Sequence, residues 1–154
     1  MNEIAHYLSS QDIMLHLDVA DKLALFDAIG RHLEQTHKLP YKWIVPSLSR
    51  REQDGCTGIG KGVAIPHARI DGLLRTLAVY VRLASPIPFD APDGKPVSDV
   101  LVLLVPNPAN IVHLKILSEI SQLFSDQGFR DALHKSVSRH EVIQLFSAWR
   151  LGKT

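Results

Sequence analysis

The chain has one cysteine, two tryptophans and two methionines in 154 residues, and its charge nearly cancels: 17 Lys plus Arg against 16 Asp plus Glu, formally +1. Each shortage excludes something. A lone Cys56 rules out an internal disulfide and any multi-cysteine zinc or iron–sulfur site, and one unpaired thiol suits a reducing compartment. A balanced charge without a basic stripe argues against nucleic-acid binding and against a polybasic membrane contact. The longest unbroken apolar run, Val100 to Val105, is six residues, whereas a membrane-spanning helix needs about 20. Met1-Asn2-Glu3 opens without a basic segment or a long apolar stretch, so no signal peptide and a cytoplasmic location are expected. Histidine is what the chain has in surplus, with eight.

With 45% hydrophobic and 21% charged residues, the chain has material for one core, and no repeat or linker divides residues 1–154 into more than one domain. Ile13 to Leu17 reads as a short extended segment. Leu25, Phe26, Ile29 and Leu33 recur at helical spacing, so a helix is expected from Asp21 to about His37, with Pro40 beyond its end. Tyr41 to about Gln53 is a second helix. Leu77 to Leu83 alternates in the β manner, and the run Val100–Val105 is apolar on both faces, as a central strand with layers on each side would be. Asn107-Pro108 offers a cap for a helix bearing Ile111, Leu114, Leu117, Ile120 and Phe124. Shorter helices are expected from Phe129 to Lys135 and from about Arg139, the latter behind the capping-box pattern Ser138-x-x-Glu141. The fold class expected is α/β: a single three-layer domain with a mixed β-sheet between helices.

Between the second helix and the first alternating strand, Gly55-Cys-Thr-Gly-Ile-Gly-Lys-Gly62 puts four glycines into eight residues. Gly55-x-x-x-x-Gly60-Lys61 begins like a P-loop, but Gly62 stands where a Ser or Thr hydroxyl must reach magnesium, and Pro66 forbids the helix that should follow. No nucleotide is therefore expected. The backbone N–H groups of Gly58, Gly60 and Gly62 are still able to form an anion-binding nest. His67 follows in Ala64-Ile-Pro-His67-Ala68, at the end of a short extended segment. An imidazole with pKa ~6.5 offers a nucleophilic nitrogen at neutral pH; the plainer reading is a surface histidine beside a turn. His113, bordering an apolar helical stripe, reads equally as a packed histidine, and Arg51-Glu52 as an exposed pair. His32 and His37 are five apart, His134 and His140 are split by a helix cap, and HExxH is missing, so neither metal nor cofactor is expected.

Together these segments resemble the enzyme IIA domains of the bacterial phosphoenolpyruvate-dependent phosphotransferase system, in the mannitol/fructose/nitrogen-regulatory class (type-2 EIIA). The resemblance runs from Glu52 through Gly60 and Val63-Ala-Ile-Pro-His67-Ala68. It continues through Pro86-Ile-x-Phe-Asp-Ala-x-Asp93, Pro96-Val97 and Leu103-Leu-Val-Pro106 to His113-Leu-x-x-Leu117, and is strongest to the nitrogen-regulatory branch.

The resemblance implies a mannitol-type IIA fold and a phosphocarrier. His67 would be the phosphorylated histidine, His113 the second active-site histidine, and Arg51 the arginine that meets phosphate. An HPr-like phosphocarrier protein would be the donor, and the regulated partners would include potassium-transport or sensor-kinase systems. Ala68 replaces a commoner glycine and is expected to narrow access around the ring. Arg69, Cys56 and Ser98 also depart from the branch's usual lysine, serine and aspartate. Two other readings stay open: a sugar-specific IIA that passes phosphate to the IIB domain of a permease, and a binding regulator that is never phosphorylated.

Overall fold

The computed structural model describes residues 3–150 except Ala109. After a single 3₁₀ turn at Ile4–His6, strand β1 spans Leu8–Leu17, so the extended segment expected from Ile13 begins earlier. Helix α1, Lys22–His37, starts behind Asp21, whose carboxylate accepts the Ala24 N–H at 2.9 Å. Helix α2 spans Tyr41–Asp54. The glycine segment then folds as a tight hairpin of β2, Gly58–Gly60, and β3, Val63–Ala64, with Gly58 opposite Ala64 and Gly60 opposite Val63. Its turn carries positive φ at Gly60 (89°), Lys61 (59°) and Gly62 (78°), a region open to glycine at no steric cost.

Strands β4 (His67–Ile70), β5 (Leu77–Ile87) and β6 (Val97–Pro106) follow. His67 thus opens a strand, where the sequence placed it at the end of one. β3 and β4 lie parallel to β6 in one unbroken register, Val63 facing Asp99 and His67 facing Leu103. Ile65, whose N–H goes to the Thr57 carbonyl at 2.9 Å, and Pro66, which has no N–H to give, separate the two strands; the Pro66 carbonyl still accepts the Leu103 N–H at 2.9 Å. β5 pairs antiparallel with β6 and parallel with β1, so the six-stranded sheet is mixed, as expected.

Helix α3, Ile111–Ser125, begins later than the sequence suggested. Asn110 caps it, accepting the Val112 N–H at 2.9 Å, while the side-chain amide of Asn107 donates to Asp71 at 2.6 Å. Helices α4, Gln127–Lys135, and α5, Arg139–Ala148, complete the described chain. Ser138 caps α5 through the Glu141 N–H at 3.1 Å; the Glu141 carboxylate reaches back to the N–H of Val137.

Two apolar clusters sandwich the sheet. On one face Val100, Val102 and Leu104 of β6 pack with Leu25, Phe26, Ile29 and Leu33 of α1 and Ile44 and Leu48 of α2. On the other, Leu101, Leu103 and Val105 pack with α3, α4 and α5. The expectation of a strand buried on both faces holds. The register carries His67 to the C-terminal end of β6, from which the chain passes into α3.

Candidate active site

His67 sits beside Leu103 on β4, half-buried, and its Nδ1 lies 2.9 Å from the carbonyl oxygen of Ile65. A carbonyl can only accept, so Nδ1 carries the proton and Nε2 keeps its lone pair. Burial pushes the pKa of the ring below 6.5; the bond to Ile65 opposes this, the positive charges of Arg51 and Arg69 add to it, and Glu52 works against it. The ring is therefore neutral at pH 7, with a bare nucleophilic nitrogen.

An open cavity of about 760 Å³ surrounds this ring, and its lining includes His113, Arg50, Arg51, Arg69, Ala68 and Leu114. His113, 9% exposed, occupies the third position of α3, where a capping box ordinarily carries Glu or Gln. Here imidazole does that service: Nδ1 accepts the backbone N–H of Asn110 at 3.1 Å. An amide N–H can only donate, so the neutral ring of His113 carries its proton on Nε2. The two histidines brought to one cavity thus hold opposite tautomers, one with a lone pair and one with an N–H at Nε2.

Arg51, in the last turn of α2, donates to the Gly55 carbonyl at 2.8 Å, which closes the helix end while leaving its positive charge at the cavity. Glu52 is not the exposed group its position suggested. Its carboxylate accepts both the N–H (3.0 Å) and the hydroxyl (2.6 Å) of Thr57 and pairs with Lys22 at 3.0 Å, so it fastens the α2–β2 turn. Ala68 lines the cavity next to the ring while belonging to the core that α1 and α2 cover.

The glycine loop is placed differently. Gly58, Gly60 and Gly62 are not among the residues lining the cavity. The Gly58 N–H goes to the Cys56 sulfur at 3.1 Å, and the Lys61 N–H goes to the carboxylate of Asp93 at 2.8 Å. Asp93 also accepts the Lys95 N–H at 3.1 Å, and these backbone bonds hold its carboxyl below the ordinary value. At this turn the Lys61 N–H thus meets a carboxylate of the chain itself.

Among the described residues no group of His, Cys, Asp and Glu could hold a metal ion, and no helix is long and apolar enough to cross a membrane. Arg50 and Asn110 were missed in the sequence. Asn110-x-x-His113 is legible only if a histidine is allowed at the Glu/Gln position of a capping box.

Comparison with known proteins bears on the chain as a whole. The family described as "Phosphoenolpyruvate-dependent sugar phosphotransferase system, EIIA 2" matches residues 6–149. The chain belongs to this family. The crystal structure of nitrogen regulatory protein IIA-Ntr from Neisseria meningitidis superposes with a TM-score of 0.88 at 38% identity, covering 94% of this chain and 99% of that one. The nitrogen regulatory protein of Escherichia coli K12 is 36% identical over 110 residues, 71% of this chain and 68% of its own length. That of Pseudomonas aeruginosa is 37% identical over 102 residues, 66% of each chain. Mannitol IIA of E. coli shares the fold, with a TM-score of 0.73 at 19% identity, covering 89% of this chain and 96% of that one. This EIIA chain thus has the mannitol-type architecture and nitrogen-regulatory relatives.

Proposed function

We propose that the protein is a cytoplasmic phosphohistidine carrier that accepts a phosphoryl group on Nε2 of His67 from an HPr-like phosphocarrier protein and serves as a nitrogen-regulatory IIA. The observation that carries this reading is the hydrogen bond from His67 Nδ1 to Ile65, which leaves Nε2 bare at the cavity. In the transfer, the Nε2 lone pair forms the N–P bond as the bond from phosphorus to the donor's ring nitrogen breaks, its electron pair returning to the donor ring. The Ile65 carbonyl meets the positive charge that develops on the acceptor ring. The arriving group brings, by analogy with phosphoserine, about −1.5 to −2 charge. The Nε2–H of His113 and the guanidinium of Arg51 are the groups suited to meet it.

The nitrogen-regulatory assignment is supported by relatives of that name, and its regulated partners would be potassium-transport or sensor-kinase systems. A sugar-specific role has weaker support: a fructose-specific EIIA component of Haloferax volcanii is 35% identical over 96 residues, 62% of each chain. Incubation with enzyme I, an HPr-like protein and phosphoenolpyruvate, followed by intact mass, tests the proposal. The wild-type chain gains one phosphoryl group and His67→Ala gains none; undiminished labelling of the variant refutes the site. Onward transfer to a IIB domain would favour the sugar-specific role.

A further inference from the structure

One buried polar side chain at this site has no part in the scheme above. Thr76 lies just ahead of β5, is 8% exposed, and brings its Oγ1 to 3.5 Å from Nε2 of His113. Because the Asn110 N–H fixes Nδ1 of that ring as the acceptor, the proton is on Nε2 and the threonine oxygen receives it. The atom that Thr76 engages is the one assigned above to the phosphoryl group.

We propose that Thr76 is a positioning residue for phosphoryl transfer: its hydroxyl holds the Nε2–H of His113 in place in the free protein and yields it to a phosphoryl oxygen once His67 is loaded. This rests on the reading of His67 as the acceptor. The topology supplies the first argument. On β6, Leu103 pairs with His67 of β4 on one side and with Ala78 of β5 on the other. Thr76, just upstream of Ala78, and His67 therefore flank the same end of one strand, and α3 starts where that strand gives out.

The second argument concerns the ring. A bond at Nδ1 alone fixes one edge of an imidazole. A second contact at Nε2 fixes the opposite edge, so ring plane and proton position are set before the phosphoryl group arrives, as electrostatic preorganisation requires. The third concerns length. At 3.5 Å the contact is longer than the usual 2.7–3.2 Å of an N–H···O bond and joins neutral partners. A phosphoryl oxygen offers a charge-assisted bond roughly twice as strong, so the exchange runs toward the loaded state. A carboxylate at position 76 would instead retain the N–H.

Thr76→Val removes the hydroxyl at similar size, and Thr76→Ser restores it. The maximal rate of transfer from the phosphorylated HPr-like donor is expected to fall about two- to tenfold in Thr76→Val, with the half-saturating donor concentration unchanged, and to recover in Thr76→Ser. In the unphosphorylated protein, nitrogen-15 NMR should show the Nε2–H of His113 exchanging with water faster in Thr76→Val than in wild type or Thr76→Ser. A wild-type maximal rate in Thr76→Val, an equal loss in Thr76→Ser, or an unaltered Nε2–H signal overturns the proposal. The NMR measurement needs no phosphorylation. A wild-type protein that never gains a phosphoryl group would therefore refute the phosphocarrier reading, while the ring signal still reports on the Thr76–His113 contact.

Discussion

At Nδ1, His67 meets the carbonyl of Ile65 and His113 meets the amide of Asn110. These two backbone groups drive identical rings into opposite tautomers, and the division of labour proposed for them rests on that. His67 titrates below 6.5 because burial, helped by Arg51 and Arg69, outweighs the bond to Ile65 and the charge of Glu52. A histidine-resolved NMR titration should find its midpoint under 6.5, and a midpoint above that value contradicts the geometry. The sign for stability follows: the unfolded chain takes up this proton first, so the contribution of His67 is whole above about pH 6.5 and declines as pH falls from there through the folded value. His113 offers a cleaner substitution than alanine. His113→Gln keeps an acceptor for the Asn110 N–H, so its denaturation midpoint should stay close to wild type while transfer slows about a hundredfold, the effect of losing one preorganised donor. His113→Ala should in addition lose about 1 kcal/mol of stability with the cap. The sequence made His67 legible through its signature, but no local pattern marked Thr76, whose contact joins residues that are far apart in the chain.

Elements are fastened to the sheet by histidines to which no sequence pattern assigned a task. His32 and His37, five apart on α1, are too widely spaced to meet each other, but Asp12 of β1 bridges them, accepting from each Nε2 at 2.8 Å and from the Ser9 hydroxyl at 3.1 Å. On the other face, the buried Asp99 accepts from His134 of α4 and from the Tyr80 hydroxyl, each at 2.6 Å. Burial acts to raise the carboxyl of Asp12, but the bonds from His32 and His37 outweigh it and hold the group below 3.8. Its stabilisation is therefore present above pH 3.8 and lost as pH falls through the folded value. Asp12→Asn turns one accepting oxygen into an N–H donor facing an imidazole N–H. Urea denaturation at pH 7 should show a loss of about 1–3 kcal/mol, and the gap between variant and wild type should narrow toward pH 3. A gap that is constant with pH would show that the carboxylate charge is irrelevant. The helix itself was readable from the spacing of Leu25, Ile29 and Leu33; its tie to β1 was not, because only sheet pairing decides which strand residue comes under it.

Across the whole molecule, β6 is the member on which both halves of the core depend. Leu104→Ala should lower unfolding free energy by about 2–5 kcal/mol, whereas Ile111→Ala, at a position 68% exposed, should change it by less than about 0.5 kcal/mol; chemical denaturation of the two variants checks both. Phosphorylation of His67 would take a chain of formal charge +1 slightly negative, a change concentrated at one cavity, where a partner protein can read it. By itself the sequence determined what short-range physics controls: helices from 3.6-residue periodicity, a doubly buried strand from Val100–Val105, and the segment bearing His67. Tertiary structure alone decided that Asn110 and not Asn107 caps α3, that Asp93 takes the Lys61 N–H at the glycine turn, that Asp12 joins two histidines, and that His113 faces the cavity of His67 beside Thr76. Periodicity and backbone propensity act over a turn or two of chain. Which donor meets which acceptor across the sheet depends on strand register, and that is set only when both apolar faces of β6 are covered at once.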